Sequence, residues 1–226
     1  MERTLRIDGE QADEPMATHD VRGGGGVRLH VREWGDPQGP PIVFVHGRSQ
    51  SQLCWSRQTA GPLAEDFRLV TFDLRGHGMS EKPLHAGADA DAQLWADELK
   101  AVIERLELDR PVVAAWSYGG YVVTDYLAAY GEGAIAGVDL VGAAVLRTPG
   151  FEHVGPGLVE NAGDACGADL PTSIAAILRF LRACTVRPLS DHDWGTALCR
   201  NVGHLPFLED SGRFDRELAE FAGYVE

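Results

Sequence analysis

Ser117 lies within Ala115-Trp116-Ser117-Tyr118-Gly119-Gly120, after the apolar run Pro111-Val112-Val113-Ala114 and before Tyr121-Val122-Val123-Thr124-Asp125-Tyr126-Leu127. A serine at a sharp turn from strand to helix presents its hydroxyl above the sheet. Small residues flank such a serine because side chains there would strike the neighbouring backbone. This is how an attacking oxygen for acyl transfer is held, and Ser117 is the candidate nucleophile. The pattern departs from G-x-S-x-G at its first position, where Ala115 stands. A serine in a glycine-rich turn also serves simply to cap free helical N–H groups, so the neighbouring segments decide between the two.

Upstream, the apolar strand Pro41-Ile42-Val43-Phe44-Val45 runs into His46-Gly47-Arg48-Ser49, and Leu53-Cys54-Trp55 opens an amphipathic segment. A tight loop of this kind supplies a backbone N–H to an oxyanion. The expected pair of donors is the N–H of Arg48 and the N–H of Tyr118, just after the nucleophile. A third block, Arg68-Leu69-Val70-Thr71-Phe72-Asp73-Leu74-Arg75-Gly76-His77-Gly78-Met79-Ser80, is again a strand followed by a glycine-rich turn.

These three blocks, in this order and spacing, resemble the α/β-hydrolase superfamily, and more narrowly its cofactor-free esterase and lactonase branch, whose members are often labelled non-haem chloroperoxidases. Val202-Gly203-His204-Leu205-Pro206-Phe207-Leu208-Glu209-Asp210, followed by Arg213-Phe214-Asp215-Arg216-Glu217-Leu218, resembles that family's histidine loop and last helix. The resemblance implies that His204 is the general base, taking the Ser117 proton during attack on a carbonyl and returning it to the leaving group. Read without the family, His204 is a loop histidine with an ordinary pKa of about 6.5. The resemblance further implies small esters or lactones as substrates, no cofactor and no metal, and loop-bracing roles for His46 and His77. Trp116, Leu53, Trp55 and Phe180 are candidate lining for an apolar acyl pocket, although large aromatics at such places are as often core. Relatives with dehalogenase or epoxide hydrolase chemistry use an aspartate where Ser117 stands, which disfavours those reactions.

In this fold the acid of the triad falls between serine and histidine, normally after a late strand. Between Gly150 and Gly203 the long apolar stretch runs from Ile174 to Cys184, and its spacing at Ile174, Ile177, Leu178 and Leu181 is helical. It reads as a cap helix within a cap region over 148–201. Roughly sixty residues are missing by comparison with such relatives, among them the last strands and the usual aspartate. Asp139, Asp164, Asp169, Asp191 and Asp193 are substitutes that match no motif, so no acid is assigned. Asp191-His192-Asp193 cannot converge on one ion because adjacent side chains fan out, and Asp191 after Ser190 reads as a helix cap. In the serine protease template, losing the acid's function lowers turnover about ten thousandfold. The competing reading is therefore a binding or vestigial protein that kept the pocket, or an incomplete product.

Strands are expected near Thr18 to Val21, Val27 to Glu33, Ile42, Leu69, Val112 and Ala134 to Val141. Helices are expected from about Leu53 to Glu65, Ala92 to Leu106 and Tyr118 to Ala129. In the second helix Leu94, Trp95, Leu99, Val102, Ile103 and Leu106 share one stripe. Strand and helix alternate, which predicts one α/β domain over 1–226: a mostly parallel sheet covered on both faces, lacking its last strands, with a loose tail over 1–15. Gly23-Gly24-Gly25-Gly26 joins two strands and reads as a flexible hairpin turn; a phosphate cradle would need a helix behind it. Without later strands, the strand ending at Val141 becomes an apolar edge that invites pairing into a homodimer.

The 226 residues are 44% hydrophobic and 24% charged, and 34 acidic against 20 basic residues give a net charge of −14. That balance opposes binding to nucleic acid or an anionic membrane. The N-terminus lacks an apolar signal segment, which predicts a cytoplasmic protein. Cys54, Cys166, Cys184 and Cys199 show no zinc spacing and read as reduced thiols.

Overall fold

The computed structural model describes residues 14–83, 85, 87, 90–146, 155–165, 169–183 and 211–224. Strands β1 (Ala17–Arg22) and β2 (Arg28–Gly35) form an antiparallel hairpin in register from Ala17 opposite Glu33 to Arg22 opposite Arg28. The glycine run between them is the hairpin turn expected from the sequence. It coils into a single 3-10 turn with positive φ at Gly25 and Gly26. A Cβ on Gly24 would stand 2.3 Å from the carbonyl oxygen of Leu94. The glycines allow the hairpin to press against the helix that begins nearby.

Four further strands follow: β3 (Pro41–Val45), β4 (Arg68–Phe72), β5 (Val112–Trp116) and β6 (Gly137–Val141). Among the described residues the sheet has six strands in the order β1-β2-β4-β3-β5-β6. The β4-β3-β5-β6 block is parallel and β2 joins it antiparallel to β4. The near-continuous apolar runs of β3 and β5 are explained by burial on both faces. Val43, Val45, Val113 and Ala115 enter one core, while Ile42, Phe44, Ala114 and Trp116 enter the other. At the outer edge, Leu140 of β6 is half exposed.

The helices in chain order are α1 (Ser56–Thr59), α2 (Leu63–Asp66), α3 (Ala92–Arg105), α4 (Gly119–Tyr130), α5 (Pro156–Ala165), α6 (Leu170–Ala183) and α7 (Ser211–Tyr224). Helices α3 and α4 cover the first face, with Trp95, Leu99, Val102 and Ile103 buried as the stripe predicts. Leu94 alone of that stripe is only half-buried. Asp91 caps α3 by accepting the N–H of Gln93 at 2.9 Å. The second face carries Trp55 and α7, whose Phe214, Leu218 and Ala222 are buried. Gln58 donates to Asp215 at 3.0 Å, which pins α7 beside α1.

The single helix expected from Leu53 to Glu65 is three short pieces: a 3-10 turn (Gln52–Trp55), α1 and α2. Gly61 and Pro62 break it. A Cβ on Gly61 would meet the Arg57 carbonyl at 2.5 Å, and proline has no N–H to continue the ladder. Helix α6 falls where the cap helix was expected, and α5, which was not foreseen, packs beside it. Ser173 donates to the Ala165 carbonyl at 2.8 Å and Arg179 donates to Asn161 at 2.9 Å across this pair. Among the described residues no helix is long and apolar enough to cross a membrane.

Candidate active site

Register brings the candidate residues together. Val45 pairs with Phe72 on one side and Ala115 on the other. Loops leaving the three strand ends, at His46, Asp73 and Ser117, therefore open side by side.

Ser117 has φ of +52°, in the left-handed region that a non-glycine residue avoids. Neighbouring backbone holds it there. Its N–H donates to Val141 at 3.1 Å, and its carbonyl accepts from Ala144 at 2.9 Å and from Gly120 at 3.1 Å. The two following glycines are required by space: a Cβ on Gly119 would lie 2.6 Å from the Val45 carbonyl, and one on Gly120 would lie 2.6 Å from the Ala144 carbonyl. Ala115, where the motif has glycine, is fully buried within the α3–α4 core. The hydroxyl of Ser117 thus stands at the strand ends, at the start of α4.

The loop after β3 lies against this turn. A Cβ on Gly47 would be 3.0 Å from Cβ of Ser117. Arg48, the residue whose N–H is the second candidate donor, follows directly, and Ser49 turns the chain at φ of +58°. Tyr118, which carries the first candidate N–H, packs its ring edge-on against Trp95 at 5.4 Å.

Both histidines of the glycine-rich loops brace backbone. His46 Nε2 accepts the N–H of Leu74 at 3.0 Å while its Nδ1 meets the Gly47 carbonyl at 2.7 Å. His77 Nε2 accepts the N–H of Ser49 at 3.1 Å while its Nδ1 meets the Arg75 carbonyl at 2.7 Å. Each arrangement fixes one neutral tautomer, with hydrogen on Nδ1. Burial, with His77 alongside, pushes the His46 imidazole down to about 3. Burial also lowers His77. Neither ring has a nitrogen left to take a proton from Ser117.

His204 lies outside the described residues, as do Asp191 and Asp193. Of the other acid candidates, two are bonded elsewhere and one lies down the strand from Ser117. Asp164 pairs with Arg179 at 3.2 Å. Asp169 accepts the N–H of Thr172 at 3.0 Å at the start of α6, and that bonding lowers its carboxyl pKa. Asp139 pairs with Ala114, three residues before Ser117, about 10 Å down the strand. Burial, with Glu217 nearby, raises its carboxyl. Of the proposed acyl lining, Trp55 belongs to the core, packed between Phe44 and Phe214 at 4.9 and 6.2 Å. A groove lined by Pro41, Val112 and Ala222 opens at the opposite end of β3 and β5, away from Ser117.

Sequence reasoning missed the charged residues that hold these loops. Asp73 is buried and accepts the N–H of Gln52 at 2.7 Å and of Met79 at 2.8 Å. Gly78 leaves room for that carboxylate, which a Cβ would strike at 2.2 Å. Arg75 and Glu98 form a buried ion pair at 2.5 Å. Asp73 and Arg75 carried only the signal of belonging to the block from Arg68 to Ser80, and Glu98, on α3, carried none.

A model of the α/β hydrolase family matches residues 42–221. The chain is 35% identical over 118 residues to a non-heme chloroperoxidase of Streptomyces lividans, covering 52% of this chain and 42% of that one. It is 36% identical over 118 residues to a bifunctional esterase/perhydrolase of Acinetobacter calcoaceticus, with the same coverage. The chain thus spans less than half the length of these two relatives. The crystal structure of a candidate aryl esterase from Burkholderia cenocepacia superposes with a TM-score of 0.85 at 30% identity, covering 92% of this chain and 99% of that one.

Proposed function

This chain belongs to the α/β hydrolase family, and on that premise we propose that it is a serine hydrolase of small carboxylic esters or lactones, working through an acyl-enzyme on Ser117. The observation that supports this most is the strained left-handed Ser117 at the end of β5, with the Gly47 loop against its Cβ. Strain of this kind persists where surrounding structure over-determines it, and it gathers at reactive sites.

In this reading Oγ of Ser117 attacks the ester carbonyl while His204 takes its proton. The carbonyl oxygen, now an anion, accepts hydrogen bonds from the N–H groups of Arg48 and Tyr118. Collapse expels the alcohol, which receives the proton from His204. Water then attacks the acyl-enzyme by the same route, releasing the acid and free Ser117. Hydrogen peroxide in place of water would give a peracid, consistent with the perhydrolase named among the relatives.

A second reading, a protein that kept the fold with little turnover, is favoured by one observation: of the described acid candidates, Asp164 and Asp169 are bonded elsewhere, and Asp139 sits on β6 level with Ala114, three residues short of Ser117. Hydrolysis of p-nitrophenyl acetate and butyrate separates the two. Turnover abolished by both Ser117→Ala and His204→Ala supports the serine hydrolase. Equal rates in all three folded proteins support the second reading.

A further inference from the structure

Arg75 sits in the turn after β4 and is 3% exposed, and Glu98 on α3 is fully buried. The guanidinium Nε donates to Glu98 Oε1 at 2.5 Å, and the Arg75 N–H donates to Oε2 at 3.3 Å. Nη2 of the same side chain donates to the Gly24 carbonyl at 2.7 Å and to the Leu94 carbonyl at 3.4 Å. One guanidinium therefore ties the β1–β2 turn, the loop after β4 and the start of α3.

From this anchor two chains of contacts lead to the two N–H groups expected to face an oxyanion. In the first, the guanidinium carbon lies 5.4 Å from the Trp95 ring centroid. Trp95 then meets the Tyr118 ring edge-on, at 5.4 Å and 71°. In the second, the Arg75 carbonyl accepts from His77, whose Nε2 accepts the N–H of Ser49, next to Arg48. The His77 and His46 rings also touch, with centroids 5.2 Å apart, and His46 holds the Gly47 carbonyl.

We propose that Arg75, held by Glu98, is a positioning residue that sets the separation of the Arg48 and Tyr118 N–H groups. This rests on the serine hydrolase reading above. An oxyanion site is effective when its donors are already aimed before charge develops, and both donors here belong to loops whose spacing needs a shared reference. A buried ion pair adds little net stability over apolar residues of similar volume, so its gain here lies in fixed geometry. Arginine suits the task because its planar fork reaches a carboxylate and two carbonyls while its flat face lies over an indole; an ammonium has three donors at one point and no planar face to hold that arrangement.

The test uses three variants. Arg75→Lys keeps a positive charge facing Glu98 and removes the guanidinium from Trp95. Trp95→Leu cuts the Tyr118 chain alone, and His77→Ala cuts the Ser49 chain alone. Each is assayed for kcat and KM with p-nitrophenyl butyrate, and for affinity to phenylboronic acid, whose serine adduct is tetrahedral. The expected result is a kcat lower by about tenfold to a hundredfold with KM within about twofold, and phenylboronate binding weakened by the same factor. Folded variants with kcat and boronate affinity equal to wild type overturn the positioning role. Should Arg75→Lys fail to fold, Trp95→Leu and His77→Ala decide the matter by the same two readouts. A rate unaffected by Ser117→Ala would instead refute the serine hydrolase reading itself, so the two failures are distinguishable.

Discussion

Gly120→Ala should weaken both the fold and the site, against the ordinary helix-forming advantage of alanine. Gly120 is the second residue of α4, where alanine gains about 1 kcal/mol over glycine in helix propensity. Opposing this, the new Cβ would stand 2.6 Å from the Ala144 carbonyl oxygen and 2.8 Å from Cβ of Ala143. Ordinary contact begins at 3.4 Å, so backbone must yield by about 0.8 Å, and overpacking of this kind costs about 1–3 kcal/mol. The obstacle is backbone, which cannot rotate away, so the upper part of that range applies. The net loss is about 2 kcal/mol, or a fall in Tm of about 4–8 °C for a chain of this size. Ala144 also donates its N–H to the Ser117 carbonyl, so the displacement passes to the nucleophile. A misplacement of about 1 Å can cost about a hundredfold in rate. Gly163→Ala in α5 is the control, because a Cβ there meets nothing within 4 Å; it should leave Tm unchanged or raise it. Thermal unfolding followed by circular dichroism, together with p-nitrophenyl butyrate hydrolysis, reads both effects. A Gly120→Ala protein as stable and as active as wild type would mean that the Ala144 backbone does not constrain this position.

Glu98→Ala should destabilise by about 3–5 kcal/mol, because it leaves the Arg75 guanidinium buried without its carboxylate; urea unfolding measures this, and a loss below about 1 kcal/mol would count against it. Gly24→Ala should also lower the urea midpoint, since its Cβ would lie 2.3 Å from the Leu94 carbonyl, whereas Gly26→Ala, with open space around it, should cost only the strain of its positive φ. His46 is held down to about 3 by burial, against an ordinary value of 6.5, so its stabilising contribution is present above pH 6.5 and is lost as pH falls toward 3. Glu98, pushed up to about 7 by burial, acts in the opposite sense, contributing most below pH 4.5 and losing that contribution as pH rises through 7. The gap in unfolding free energy between wild type and His46→Gln isolates the histidine: it should shrink on acidification by at most about 1.4 kcal/mol per pH unit, and a gap independent of pH from 7.5 to 4 would contradict this.

The parts of this fold that local pattern determines were legible in the sequence. Strands β3 and β5 are apolar at every position because both faces are covered, and α3 carries its apolar stripe from Leu94 to Leu106. The elbow was readable because its strained turn demands small neighbours at fixed offsets. The rest depends on contacts across long stretches of chain. Glu98 looks like part of a solvated helix face until Arg75, from a separate loop, is brought against it. The same holds for the glycine run, whose purpose appears only once Leu94 is its neighbour. Propensity extended the helix after Leu53 through Gly61-Pro62, where a steric barrier and a missing N–H end it. Helix α5 was hidden because Gly157 and Gly163 weaken its helical signal, while its support comes from α6 through Asn161 and Arg179. The acid of the proposed triad had no motif to reveal it; of the described candidates, Asp169 caps α6 and Asp164 pairs with Arg179.

Intact-mass and peptide mapping after brief exposure to a fluorophosphonate decide whether Ser117 is a nucleophile, because only an activated serine with a formed oxyanion site reacts quickly. The expected result is a single adduct on the peptide containing Ser117, formed within minutes and absent from Ser117→Ala. No adduct on folded protein, or equal labelling of the Ser117→Ala variant, would contradict the assignment of Ser117 as the nucleophile.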